Sequence, residues 1–213
     1  MSRENARGQA VGNAPGGDRA PRDRILDACS ELFTREGVRA VGVDTIIEHA
    51  NVAKATLYSN FTSKDALVVA WLRRPDTRWL TGLAEEVGRR AEGPLASLVA
   101  MFEVLREWFE EGRLPGCPFL DTMTEFRDPE HSVRAEVRTY VDEVETWLRD
   151  RAEVAGLSRP EEVATQIRLL IAGCFEMAFA TSSSASWADG RAAAVAILAG
   201  RLGTTPEEFE KRI

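Results

Sequence analysis

The chain has 213 residues, 44% of them hydrophobic, and carries 27 Lys/Arg against 34 Asp/Glu for a net charge of −7; this suits one or two small soluble domains. No uninterrupted apolar run reaches the roughly 18 residues of a membrane helix and no apolar secretory block opens the chain, so a cytoplasmic protein without a membrane segment is expected. Cys29, Cys117 and Cys174 lie too far apart to suggest a disulfide framework or a thiolate metal site.

Residues 1–20, rich in Gly, Ala, Asn and Arg without periodicity, read as a disordered tail. Beyond them the segments repeat with helical period and none alternates as a strand would, which predicts an all-α fold of about nine or ten helices. A first helix over Pro21–Glu36 carries Ile25, Cys29, Leu32 and Phe33 on one stripe, with Pro21 in its first turn and Gly37 as its stop. A second spans Val43–Ala50 behind Gly42, with Thr45–Glu48 as an alternative capping box. A third covers Lys54–Phe61, and a fourth starts after Thr62 or Ser63 and carries Leu67, Trp71 and Leu72 until Pro75 kinks or ends it. The pattern resumes through Trp79, Leu80, Leu83 and Val87 to Gly93-Pro94, then through Leu98, Met101, Phe102, Leu105, Trp108 and Phe109 to Gly112. A short helix over Pro118–Arg127 and a long one over Pro129–Ala155 follow. The last two helices, Pro160–Thr181 and Trp187–Gly203, are long, apolar and joined by a short serine loop, so they should pack antiparallel.

Residues 46–67 read IIEHANVAKATLYSNFTSKDAL. Two short helices around Asn51-Val52-Ala53, with Leu57 and Phe61 facing inward, make a helix-turn-helix, whose second helix presents its first side chains to the DNA major groove. The charge is unevenly divided: residues 1–74 hold 11 Lys/Arg and 9 Asp/Glu, and residues 75–213 hold 16 and 25. Phosphate attraction is local, because charge is screened within about 10 Å, so the acidic remainder does not exclude DNA.

Ile25, Ala28, Leu32, Phe33 and Gly37, then Ile46, Ala50 and Val52, and above all Thr56-Leu57-Tyr58 followed by Phe61, Ser63-Lys64 and Leu67, resemble the tetracycline-repressor (TetR) family of bacterial regulators over about residues 22–72. The resemblance implies a helix-turn-helix domain at 21–73 and a helical ligand-binding and dimerisation domain at 74–213. It further implies a homodimer on a palindromic double-stranded operator, released by a small-molecule effector that shifts the fourth helix. Lys54, Ala55 and Thr56 would open the recognition helix, Lys54 toward guanine edges or phosphate and Ala55 toward a thymine methyl. Tyr58, Ser59 and Asn60 would meet the DNA backbone, Lys64 a phosphate, and Asp44 and Thr45 are further candidates. Three positions depart from the family pattern: Asn51 and Ala55 stand where Gly is usual, and Asn60 where His is usual.

An apolar or aromatic effector could be held by Phe102, Leu105, Trp108, Phe109, Phe119, Met123, Phe126, Trp147, Phe175 and Phe179, although ordinary core is the competing reading of each. Asp121 and Glu125, if buried, would favour a cationic ligand. The dimer contact implied by the resemblance falls on Val163, Ile167, Leu170, Ile171, Cys174, Ala194, Val195, Leu198 and Leu202. Cys117, at a helix start, raises the possibility of a redox-sensing thiol. His49 and His131 lack companions at ligand spacing, and no phosphate loop, nucleophile elbow or His-Glu-x-x-His motif is present, so neither metal, cofactor nor enzyme is expected. The alternative function is a protein-interaction module on the same fold with DNA binding secondary or lost.

Overall fold

Proline stands in the first turn of five helices, where its missing N–H costs nothing and its fixed φ favours helix entry. The computed structural model describes residues 19–75, 77–114 and 116–213, which contain helices and no strand. The helices are α1 (Pro21–Glu36), α2 (Val43–Ala50), α3 (Lys54–Asn60), α4 (Lys64–Leu72), α5 (Trp79–Arg90), α6 (Pro94–Glu110), α7 (Pro118–Glu125), α8 (Ser132–Val154), α9 (Pro160–Thr181), α10 (Ala185–Leu202) and α11 (Pro206–Glu210). The tail expected at residues 1–20 lies, through residue 18, outside the described residues.

The first four helices share one core. Ile25, Cys29, Leu32 and Phe33 of α1 are buried against Ile46, Leu57, Leu67 and Trp71. Phe33 meets Trp71 edge to face at 5.1 Å, and the Trp71 indole donates to Ser30 Oγ at 3.2 Å, so α1 and α4 are locked by both packing and a hydrogen bond. α4 ends at Leu72, before Pro75, and also packs on α8, which joins the helix-turn-helix to the remaining helices. There α8, α9 and α10 run side by side with α6 against α10, around Phe102, Tyr140, Phe175 and Trp187.

Three features add to the expectations from sequence. Among the described residues there is an eleventh helix, α11, anchored by a fully buried Phe209 and capped by Thr205 Oγ1, which accepts from the Glu208 amide at 3.2 Å; five residues are too few for a periodic signal. α9, with 22 residues and a mean hydropathy of 1.4 over its most apolar window, is long and apolar enough to cross a membrane. Thr165, Gln166, Arg168 and Glu176 interrupt its apolar residues, so no single apolar run in it reaches that length. Less than half of that window is buried, so one face of α9 belongs to the core and another is open. Finally, Val163, Ile167, Ile171, Cys174, Ala194, Val195 and Leu198, expected at a dimer contact, are buried inside the protomer, and Leu170 and Leu202 are half-buried. The buried members of this stripe face the chain's own core, and Leu170 and Leu202 keep part of their surface open.

Candidate nucleic-acid interface and apolar cleft

The turn between α2 and α3 is built on Asn51, whose φ of 50° places it in the left-handed region usually given to glycine. Its amide closes on the Glu48 and Ile47 carbonyls, and Val52 N follows to Ile47 O at 3.2 Å. Arg24 of α1 donates to the Asn51 carbonyl at 3.2 Å and braces the turn from behind. With Ile46, Leu57 and Phe61 buried, the helical period leaves Asp44, Thr45, Lys54, Ala55, Tyr58, Ser59 and Asn60 exposed and Thr56 half-buried. Tyr58 is 47% exposed, a large apolar ring with a polar tip held in water, as a phosphate or sugar contact requires.

The polar groups of this surface are partly engaged with one another. Lys54 Nζ lies 3.0 Å from Asp44 Oδ1, and that hydrogen bond raises the Lys54 pKa. Asp44 thus ties the start of α2 to the start of α3. Ser59 Oγ and Asn60 Nδ2 both donate to the Thr56 carbonyl, at 2.9 and 2.8 Å, so both side chains fold back on the helix instead of reaching outward. Lys64 departs furthest from its expected role. Its ammonium donates to Val41 O at 2.6 Å and Arg39 O at 3.4 Å, and loss of solvation lowers its pKa. It holds the α1–α2 loop through these carbonyls. A cation that sequence reasoning missed is Arg22, exposed, with its guanidinium 5.4 Å from the Phe61 ring centre at the end of α3.

An apolar cleft of about 70 Å³ opens among α5, α7, α8 and α9, walled by Trp79, Phe119, Met123, Val137, Tyr140, Val141, Ile171 and Phe175. Arg168, paired with Glu145 at 3.0 Å, is the charged group in its lining. Of the effector residues expected from sequence, Phe119, Met123 and Phe175 belong to this wall. Phe102 and Leu105 are closed core, Phe109 packs edge to face on Phe179, Phe126 packs on His131, and Trp147 lies under Arg151. Trp108 lines a separate open groove of about 500 Å³ at the α4–α5 linker, and a larger groove of about 890 Å³ runs along α1 and α4; both have mixed polar walls and neither encloses an apolar guest. Trp79 and Tyr140, central to the cleft, were missed because each also reads as ordinary core; Tyr140 stacks on Phe119 at 3.7 Å and its hydroxyl accepts from the Leu80 amide at 2.9 Å.

Asp121 and Glu125 point away from the cleft, so a cationic ligand has no support there. Desolvation raises the Asp121 pKa, and Glu125 accepts backbone amides of the α1–α2 loop. Burial also pushes the Cys117 thiol up to about 11, which opposes a reactive thiolate: the desolvation outweighs the amide hydrogen bonds at the start of α7.

A helix-turn-helix on α2–α3 is followed by a larger helical body, the arrangement of helical DNA-binding regulators. Residues 25–71 match the bacterial regulatory proteins of the tetR family. An uncharacterised HTH-type transcriptional regulator of Mycobacterium tuberculosis is 33% identical over 103 residues, covering 44% of this chain and 50% of that protein. The HTH-type transcriptional activator FasR of Mycolicibacterium smegmatis is 38% identical over 73 residues, 32% of this chain and 33% of its own length. The matched chain therefore spans half or less of these relatives. Among solved structures, a TetR-family transcriptional regulator from Streptomyces coelicolor superposes with a TM-score of 0.77 at 22% identity, covering 85% of this chain and 95% of its own. The reduced form of Escherichia coli NemR gives 0.74 at 21% identity, with 82% and 94% covered. These last two share the fold. Over residues 25–71 the chain is thus similar to the helix-turn-helix of the tetR-family regulators, and over most of its length it shares their all-α fold.

Proposed function

We propose that the protein is a cytoplasmic homodimeric repressor whose α3 helices read a palindromic operator and whose apolar cleft takes a small effector that releases it. The observation that carries the DNA reading is the exposed row Lys54, Ala55 and Tyr58 on a short helix whose opposite side, Leu57, is fully buried. Such a helix is anchored firmly enough to hold its side chains against base edges. The division of the chain follows: residues 21–73 carry DNA contact, and residues 74–213 carry the cleft and the dimer contact. An uncharged apolar or aromatic effector fits a cleft whose lining offers one guanidinium, already paired.

The dimer is assigned to the outward faces of α9 and α10. Leu169 and Met177 are 60% and 51% exposed, Gly173 and Ala180 are exposed beside them, and α10 exposes Ala188, Ala192, Ala196 and Gly200. Two such antiparallel pairs related by a two-fold axis form a four-helix contact with apolar side chains at its centre. Selection of duplexes from a random-sequence pool tests the function. A palindromic consensus bound tightly and with steep salt dependence, and lost with Tyr58→Ala, is the expected result. Failure to enrich any duplex would favour the protein-interaction module instead.

A further inference from the structure

The six-residue loop between α1 and α2 carries backbone polar groups that no helix satisfies, and two side chains from distant parts of the chain take them up. Both oxygens of one carboxylate, Glu125 at the end of α7, accept successive amides: Val38 N to Oε1 at 2.8 Å and Arg39 N to Oε2 at 2.6 Å. From the other side Lys64 Nζ donates to the Val41 carbonyl at 2.6 Å. The carboxylate is seated closely, since a Cβ added at Gly37, itself at φ +84°, would lie 3.1 Å from Glu125 Oε1. The Arg39 guanidinium, 5.3 Å from the Phe126 ring centre, adds a second contact with the end of α7. Since α2 starts at Val43, fixing Val38 and Arg39 fixes where α2, and α3 behind it, leave α1.

The same helix is a wall of the cleft. Phe119, Leu120 and Met123 of α7 face it, whereas Asp121, Thr122 and Glu125 face Phe33, Val38 and Trp71 of the DNA-binding helices. A cleft of about 70 Å³ is far below the roughly 300–1,000 Å³ of a ligand site, so an occupant must push a wall aside. α8 and α9 have 23 and 22 residues and pack along each other; α7 has 8, with Arg134 holding its end through the Met123 and Phe126 carbonyls at 3.3 Å. α7 is the wall that yields most easily.

We propose that Glu125 is a positioning residue for DNA recognition, its carboxylate setting the α1–α2 turn, and that displacement of α7 by a guest in the cleft reaches the recognition helix through it. The second clause rests on the reading of the cleft as the effector site; the first does not. The test uses the full chain and a duplex that the wild-type protein itself selects from a random pool. Glu125→Gln keeps one acceptor but turns an amide donor toward a backbone N–H. It should weaken binding to the selected duplex about tenfold, leave the salt slope unchanged because no phosphate contact is lost, and speed hydrogen exchange at Val38 and Arg39.

Ala172→Phe, which places a ring in the cleft from α9, stands in for an occupant. It should weaken selected-duplex binding about tenfold in the wild-type background and add little in the Glu125→Gln background. Wild-type affinity in Glu125→Gln overturns the positioning role, and equal losses from Ala172→Phe in both backgrounds, or no loss in either, overturn the route from the cleft. If Glu125→Gln does not fold, exchange at Val38 and Arg39 in the Ala172→Phe protein decides: faster exchange supports the route and unchanged exchange overturns it. A wild-type chain that selects no duplex refutes the DNA reading itself, a result separate from these.

Discussion

A lysine ammonium that has lost part of its water needs other oxygens, and Lys64 takes them from the carbonyls of Arg39 and Val41. Its value is therefore structural. Lys64→Met keeps the apolar stem and removes the donors, leaving the Val41 carbonyl without that partner; it should cost about 1–3 kcal/mol in urea denaturation. The salt slope of DNA binding should stay as in wild type, and a slope shallower by about one would restore a phosphate role.

The thiols make a pH-dependent prediction at the same scale. Burial raises Cys117 and Cys174 from the ordinary 9.0 to about 11 and Cys29 to about 12. As pH rises past 9 the unfolded chain ionises first, so stability that is intact below this pH is lost progressively toward the folded values. Urea midpoints should fall between about pH 9 and about pH 11, and less steeply in Cys117→Ala; an identical slope in that variant would remove Cys117 from the account.

Between elements, the α4–α5 linker is held to α8 mainly through the buried carboxylate of Glu136. Glu136, 4% exposed, accepts from Arg73 Nε at 2.8 Å and Arg78 Nη1 at 3.3 Å. Arg78 also pairs with Glu143 and lies 5.0 Å from the centre of the Tyr140 ring, a wall of the cleft. Removing one member of a buried charge cluster leaves the others unpaired in a poor solvent for charge. Glu136→Ala should therefore destabilise by roughly 3 kcal/mol, with Arg78 the more affected partner because it is 18% exposed against 65% for Arg73. A change below about 1 kcal/mol in the urea-derived stability would mean that the cluster is near neutral, as some buried pairs are.

On the scale of the whole molecule, the proposed dimer contact uses the exposed apolar side of α9 and the small-residue side of α10. Leu169→Glu or Ala192→Glu places charge on those faces without touching the core, since both positions are exposed. Each should give a folded monomer in sedimentation, with unchanged helicity and weakened operator binding, because each half-site is then held alone. A dimer that survives both substitutions would move the contact elsewhere. A charge at Leu198 tests something different: that residue is fully buried and the variant should unfold.

The helix-turn-helix and most helix ends were legible in the sequence because their causes are local. Pro21, Pro118 and Pro160 start helices, Gly37 and Asn51 stop them in the left-handed region, and the spacing of Ile46, Leu57 and Phe61 fixes which side of α2–α3 is buried. Direction and pairing were decided by the tertiary structure. α9 and α10 are apolar or small on more than one side, so periodicity marks the helices but does not choose which stripe turns inward. Lys64 reads as a phosphate cation until the loop carbonyls beside it are seen, and Glu125 meets Val38 across 87 residues of sequence. Local chemistry sets where a helix begins and ends; what its side chains touch depends on which other helices the shared core brings beside it.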